Sequence, residues 1–106
     1  MYFYKSVNVS VEEDDLGIPK ELELSQNYPN PFNPSTNIKF SIPEASTVSL
    51  VIYNSIGQRV STLVDSQLSA GKYTYSWDAS NVSSGVYFYK LKSNNSIITK
   101  QLLLIK

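Results

Sequence analysis

From residue 37 onward, apolar and polar side chains alternate again and again with a period of two, and helical periodicity never holds for more than a turn. That pattern confines the chain to strands. Ile38, Phe40 and Ile42 alternate with Asn37, Lys39 and Ser41, and after a break at Pro43 to Ser46 the alternation resumes at Val48, Leu50 and Ile52. Neighbouring side chains of a strand point to opposite faces, so each run buries one face and wets the other. The stretch "YNSIGQRV" places Gly57 where a short hairpin needs a residue at positive φ, which predicts that Val48 to Tyr53 pairs with Gln58 to Val64. A longer turn, "DSQLSAG", leads into "KYTYSWD", with Tyr73, Tyr75 and Trp77 on one face and Thr74 and Ser76 on the other. This aromatic row is expected to form the centre of the core with Phe40, Leu50 and Ile52. "VYFYKLK" and "IITKQLLLI" follow, separated by "SNNS", whose asparagines tolerate left-handed geometry in a tight turn. The expectation is an all-β fold: a small antiparallel sandwich of about six to seven strands.

A chain of 106 residues with 42% hydrophobic content supports one domain, burying roughly 65% of its extended surface. Cysteine and histidine are both absent, which removes thiol nucleophiles, disulfides, imidazole bases and the commonest zinc ligands. No cofactor is expected, and no catalytic residue stands out. The zero net charge conceals an asymmetry: residues 1–35 hold six acids and two lysines (−4), residues 36–106 three acids and seven bases (+4). Two segments are implied: an N-terminal strand with an acidic linker over residues 1–23, and the sandwich over residues 24–106. The bases of the sandwich are scattered singly and no aromatic-basic motif accompanies them, which argues against nucleic acid. No apolar run approaches the roughly 18 residues of a membrane helix. "MYFYKSVNVSVEEDD" has no basic start, long apolar stretch or cleavage site, so the expectation is either a cytosolic protein or a piece of a larger one.

The stretch "QNYPNPFNPST" cannot be a helix or a central strand, because proline cannot donate to a ladder and pushes the preceding residue toward extended geometry. Tyr28, Pro29, Asn30, Pro31, Phe32, Asn33 and Pro34 are expected to form a clasp of linked turns ahead of the first sandwich strand. In one reading Tyr28 and Phe32 plug an open end of the sandwich while the asparagines cap backbone groups. In the other, the prolines are a ligand for a partner groove.

Taken in order, "LSQNYPNPFNPSTNIKFSIP", "VSLVIYNSIGQRVSTLV", "AGKYTYSWDASNVSSGVYFYKL" and the terminal "LLLIK" resemble the C-terminal sorting domain of the type nine secretion system. That domain is in turn similar to the immunoglobulin-like domain of flagellar hook-capping proteins. The resemblance covers about residues 22–106 and implies an immunoglobulin-like β-sandwich that delivers rather than catalyses. It implies a cargo ahead of the domain, passage through the periplasm, an outer-membrane translocon as partner, and removal by a sortase-like peptidase, after which the cargo is released to the medium or joined to lipopolysaccharide at the cell surface. The family's glycine-x-tyrosine element falls on Gly85, Val86 and Tyr87, and its terminal basic residue on Lys106.

Blander roles stand beside these. Gly85 can serve a tight turn into a strand, Tyr87 can be a packing aromatic, and Lys106 can be a solvated end. Glu12, Glu13, Asp14 and Asp15 are adjacent rather than spaced as a calcium loop, which reads as a solvated linker. Asp78 reads as an Asx-turn residue, since no second carboxylate stands nearby to share acid and base roles. The N-x-S triplets at Asn8, Asn81 and Asn94 matter only in a eukaryotic secretory route. Two other functions are compatible with the sequence: a building block of a surface fibre assembled by strand addition, and a carbohydrate-binding module using exposed aromatics. Finally, Val7, Val9 and Val11 alternate with Asn8 and Ser10, so residues 2–11 read as a strand able to join an exposed sheet edge of this chain or of another copy.

Overall fold

The computed structural model describes residues 18–106. The expected N-terminal strand, the acids at 12–15 and Asn8 lie outside the described residues. Seven strands follow in order: β1 (Glu23–Leu24), β2 (Ser35–Ile42), β3 (Ser46–Asn54), β4 (Arg59–Leu68), β5 (Gly71–Asp78), β6 (Gly85–Ser93) and β7 (Ser96–Leu104). They make two antiparallel sheets, one ordered β1-β2-β5 and the other β4-β3-β6-β7. The all-β sandwich expected from the alternation is what the chain forms.

The period-two pattern decides which side chains go inside. In β2, Ile38, Phe40 and Ile42 are buried; in β3, so are Val48, Leu50 and Ile52; β6 adds Tyr87, Tyr89 and Leu91, and β7 adds Leu102 and Leu104. These form one continuous core between the sheets. Full burial of an aliphatic side chain of this size stabilises by about 1.5–3 kcal/mol, so the facing rows supply most of the driving force.

Turns form where their chemistry was readable, except that Asp65–Leu68 of the expected long turn continue β4 opposite Ser46–Ser49, because pairing with β3 extends the strand, and only Ser69 and Ala70 are left to turn. Gly57 has φ of 87° in the β3–β4 hairpin, and the side-chain oxygen of Asn54 accepts the amides of Ile56 at 3.1 Å and Gln58 at 2.9 Å. Asn94, at φ 55°, turns β6 into β7 with Ser93 opposite Ser96. Asparagine reaches this left-handed region more readily than most residues.

The aromatic row requires a correction. Trp77 is buried, but Tyr73 and Tyr75 are only half-buried, stacked on Phe40 at ring-centre distances of 5.4 and 5.8 Å. The physical reason is lateral position. β5 pairs only with β2 among the described strands, so its inward side chains are covered from one side. The centre of the core lies instead around Ile38, Leu50, Ile52 and Tyr89, on strands with a neighbour on each side.

Candidate functional site: a pole where the sequence motifs converge

Four stretches distant in sequence meet at one end of the sandwich: the proline clasp, the turn after Trp77, the strand start at Gly85 and the C-terminal residues. The clasp bridges both sheets. Tyr28 and Asn37 of β2 exchange backbone hydrogen bonds of 3.0 and 2.9 Å, while Phe32 donates to the carbonyl of Leu103 at 3.0 Å and its own carbonyl accepts the amide of Ile105 at 3.0 Å. All three of its prolyl bonds are cis. Asn30 also accepts the amide of Leu103 at 3.0 Å, and Pro34 accepts that of Ala79 at 2.8 Å. Backbone groups that proline geometry withholds from a ladder are thereby bonded across the seam.

Phe32 and Tyr28 behave differently. Phe32 is buried, with its ring 5.7 Å from that of Trp77, which in turn meets Tyr87 edge-on at 5.4 Å. Tyr28 is 79% exposed, so it does not plug the sandwich end. Its backbone is held flat against β2, and the ring is left facing solvent. The burial expected of Tyr28 is supplied by a residue that sequence reasoning passed over. Asn27 is buried; its side-chain amide donates to the hydroxyl of Thr36 at 3.0 Å and to the carbonyl of Pro29 at 3.1 Å. Its backbone amide donates to the hydroxyl of Tyr89 at 2.8 Å, and that hydroxyl donates to the carbonyl of Ser25 at 2.7 Å. Burial pushes the Tyr89 hydroxyl up to about 12, an effect partly opposed by the Asn27 hydrogen bond. The signal that could have marked Asn27 and Thr36 is their spacing on either side of the proline run, since a buried turn must find side-chain partners for its carbonyls.

The residues matched to the glycine-x-tyrosine element lie side by side with the C-terminus. Gly85 pairs with Leu104 and Tyr87 with Leu102. Gly85 has φ of 152°, a conformation that L side chains rarely adopt, although a Cβ there would meet nothing within 4 Å. Backbone geometry rather than crowding therefore asks for glycine. The Tyr87 ring is buried and its hydroxyl donates to the carbonyl of Ser83 at 2.6 Å. Lys106 is docked: its amide donates to the hydroxyl of Ser84 at 2.9 Å and its Nζ to the carbonyl of Ser80 at 2.8 Å. Asp78 accepts the hydroxyl and the backbone amide of Ser80, closing an Asx turn. Those bonds, the hydroxyl first and the amide next, hold its carboxyl below the usual value of 3.8, with a smaller contribution from Lys106.

A shallow groove of about 240 Å³ runs beside Gly85, lined by Asn54, Ser55, Ile56, Ser83, Ser84 and Val86 among others, with Ile56 largely exposed at its rim. Among the described residues no cluster of three or more acidic side chains could hold a metal. Of the aromatic row only Trp77 is buried, while Tyr73 and Tyr75 lie half-exposed against Phe40.

Comparison with known families gives this pole its context, because residues 26–106 match the secretion-system C-terminal sorting domain, from the clasp through the last residue. The chain belongs to that family. No curated protein matches it. Membership connects the sorting domain with type nine secretion toward the cell surface or the outside, and with an interaction with that system. The family is one of sorting signals rather than catalysts. In this sorting domain the path into the sandwich is separate from the motif-bearing pole: Glu23 pairs with Ser41, so residues before β1 lead off beside Ile42. Lys106 lies at the other end, beside Ser80 and Ser84. The eight residues of β2 separate the two ends by roughly 25 Å at about 3.3 Å per residue.

Proposed function

We propose that residues 24–106 are a non-catalytic secretion signal that directs a cargo joined ahead of them through the outer-membrane translocon of the type nine system, by way of the periplasm, to the cell surface or medium. The observation that carries this reading is the family match over residues 26–106, which takes in every strand of the sandwich but β1. The separation of the two poles supports it physically. Cargo attached before β1 leaves the pole bearing Gly85 and Lys106 open to a translocon, while the segment that a sortase-like peptidase would cut lies at the opposite, entry end. Docking needs no chemistry from the domain, only a rigid and repeatable surface, and the clasp supplies rigidity by bonding both sheets to one turn.

The test is a fusion of residues 24–106 behind an unrelated periplasmic reporter, expressed in a bacterium that has the type nine system. Export to the surface or medium is expected. Retention in the periplasm, while an authentic sorting domain exports the same reporter, overturns the proposal.

A further inference from the structure

The two flanks of the sandwich are unlike. On one, the clasp and β1 seal the seam to β7: Gln26 donates to the carbonyl of Gln101 at 2.7 Å, and Phe32 bonds to Leu103 and Ile105. On the other, β4 and β5 are both edge strands, each with a single partner among the described residues. In an antiparallel pair alternate residues point their N–H and C=O away from the partner, so the outer edge of the eight-residue β5 carries a row of groups that another strand can satisfy. The core is also thinly covered there. Val60, Leu63 and Leu68 of β4 and Tyr73 and Tyr75 of β5 are only partly buried against it. Between Lys72, its second residue, and Asp78, its last, β5 has neither a charge nor a proline to discourage pairing.

We propose that the open edge of β5 is the docking site for residues 3–11 of the same chain, added as an antiparallel fourth strand of the three-stranded sheet. Direction follows from topology. β1 is antiparallel to β2 and β2 to β5, and the chain ahead of β1 leaves at the pole where Ile42 meets Gly71. A segment returning from that pole along β5 runs antiparallel to it. Reach is ample: residues 12–22 span up to about 36 Å when extended, whereas three strand spacings of about 4.8 Å need roughly 14 Å. The crossing passes exposed Lys72, which complements the acids Glu12, Glu13, Asp14 and Asp15 in charge. Pattern selects the register. Setting Val11, Val9 and Val7 opposite Tyr73, Tyr75 and Trp77 turns every valine toward the thin part of the core. It also places Ser10 and Asn8 opposite Thr74 and Ser76 on the wet face.

The chain has no cysteine, so disulfide trapping has a clean background. In the 106-residue chain, the pair Ser10→Cys with Thr74→Cys should close within one chain at least about tenfold faster than a control pair, Ser10→Cys with Thr47→Cys, because a docked strand raises the local concentration only at its own register. Equal rates for the two pairs overturn the proposal. Crosslinks formed only between chains overturn it in favour of a neighbouring copy as the occupant. A second measurement leaves the sandwich untouched: Val9→Asp in the 106-residue chain should speed hydrogen exchange of the outward β5 amides by about tenfold or more, as a released edge returns to solvent. Unchanged exchange there likewise overturns it.

Discussion

The backbone amide of Asn27 donates to the hydroxyl of Tyr89 across 2.8 Å, joining the proline clasp to the middle of the four-stranded sheet. Tyr89 is fully buried, and its hydroxyl also donates to the carbonyl of Ser25. Tyr89→Phe keeps the ring but strands both backbone groups, which should cost about 1–3 kcal/mol in a urea titration. The pH dependence has a definite sign. The folded pKa is raised above 10.0 to about 12, so the contribution is intact below pH 10 and is lost as pH rises toward 12. Tyr89→Phe should flatten that alkaline fall.

Trp77 meets both Phe32 of the clasp and Tyr87 of the strand that follows Gly85. Trp77→Ala should therefore cost about 3–5 kcal/mol, a large part of a small domain's stability. In residues 18–106 alone, Tyr75→Ala should cost clearly less in a denaturant titration, because that ring is then half in solvent. In the 106-residue chain the two losses should draw closer, as residues 3–11 cover the outer edge of β5.

Gly85 is required by its backbone rather than by its neighbours. Gly85→Ala should lower stability by about 1–3 kcal/mol through strain at positive φ. Export of a fused reporter should fall further than that loss explains, since the residue borders the groove at the motif pole. Restoring stability elsewhere in the core while export stays low would separate the two effects.

Lys106 offers a cleaner separation. Its Nζ bond to Ser80 is exposed, so Lys106→Ala should change stability by no more than about 0.5 kcal/mol. Deleting Ile105 and Lys106 together also removes the amide that bonds Phe32, and should loosen the clasp measurably. If Lys106→Ala leaves export untouched, the terminal lysine is only a solvated end.

What the sequence determined by itself was everything governed by local periodicity and turn chemistry. Strands β2, β3 and β5 to β7, β4 as far as Val64, the inward sets Ile38-Phe40-Ile42 and Val48-Leu50-Ile52, the glycine of the β3–β4 hairpin and the Asx turn at Asp78 all follow from residues within a few positions of one another, whereas Asp65–Leu68 join β4 only through pairing with Ser46–Ser49. The family was legible too, because its motifs occur in order along the chain. Lateral position was not legible. Alternation tells which face of a strand is apolar and nothing about how many neighbours it has, so Tyr73 and Tyr75 on the edge strand β5 carried the same signal as residues at the true centre. Two-residue β1 is too short to show a period. The fates of Tyr28 and Asn27 were also decided only by the tertiary structure: the aromatic residue faces water while the polar one is buried, because Thr36 and Tyr89, brought close by packing, join the neighbouring Gln26 and Pro29 in satisfying the Asn27 side chain and backbone amide.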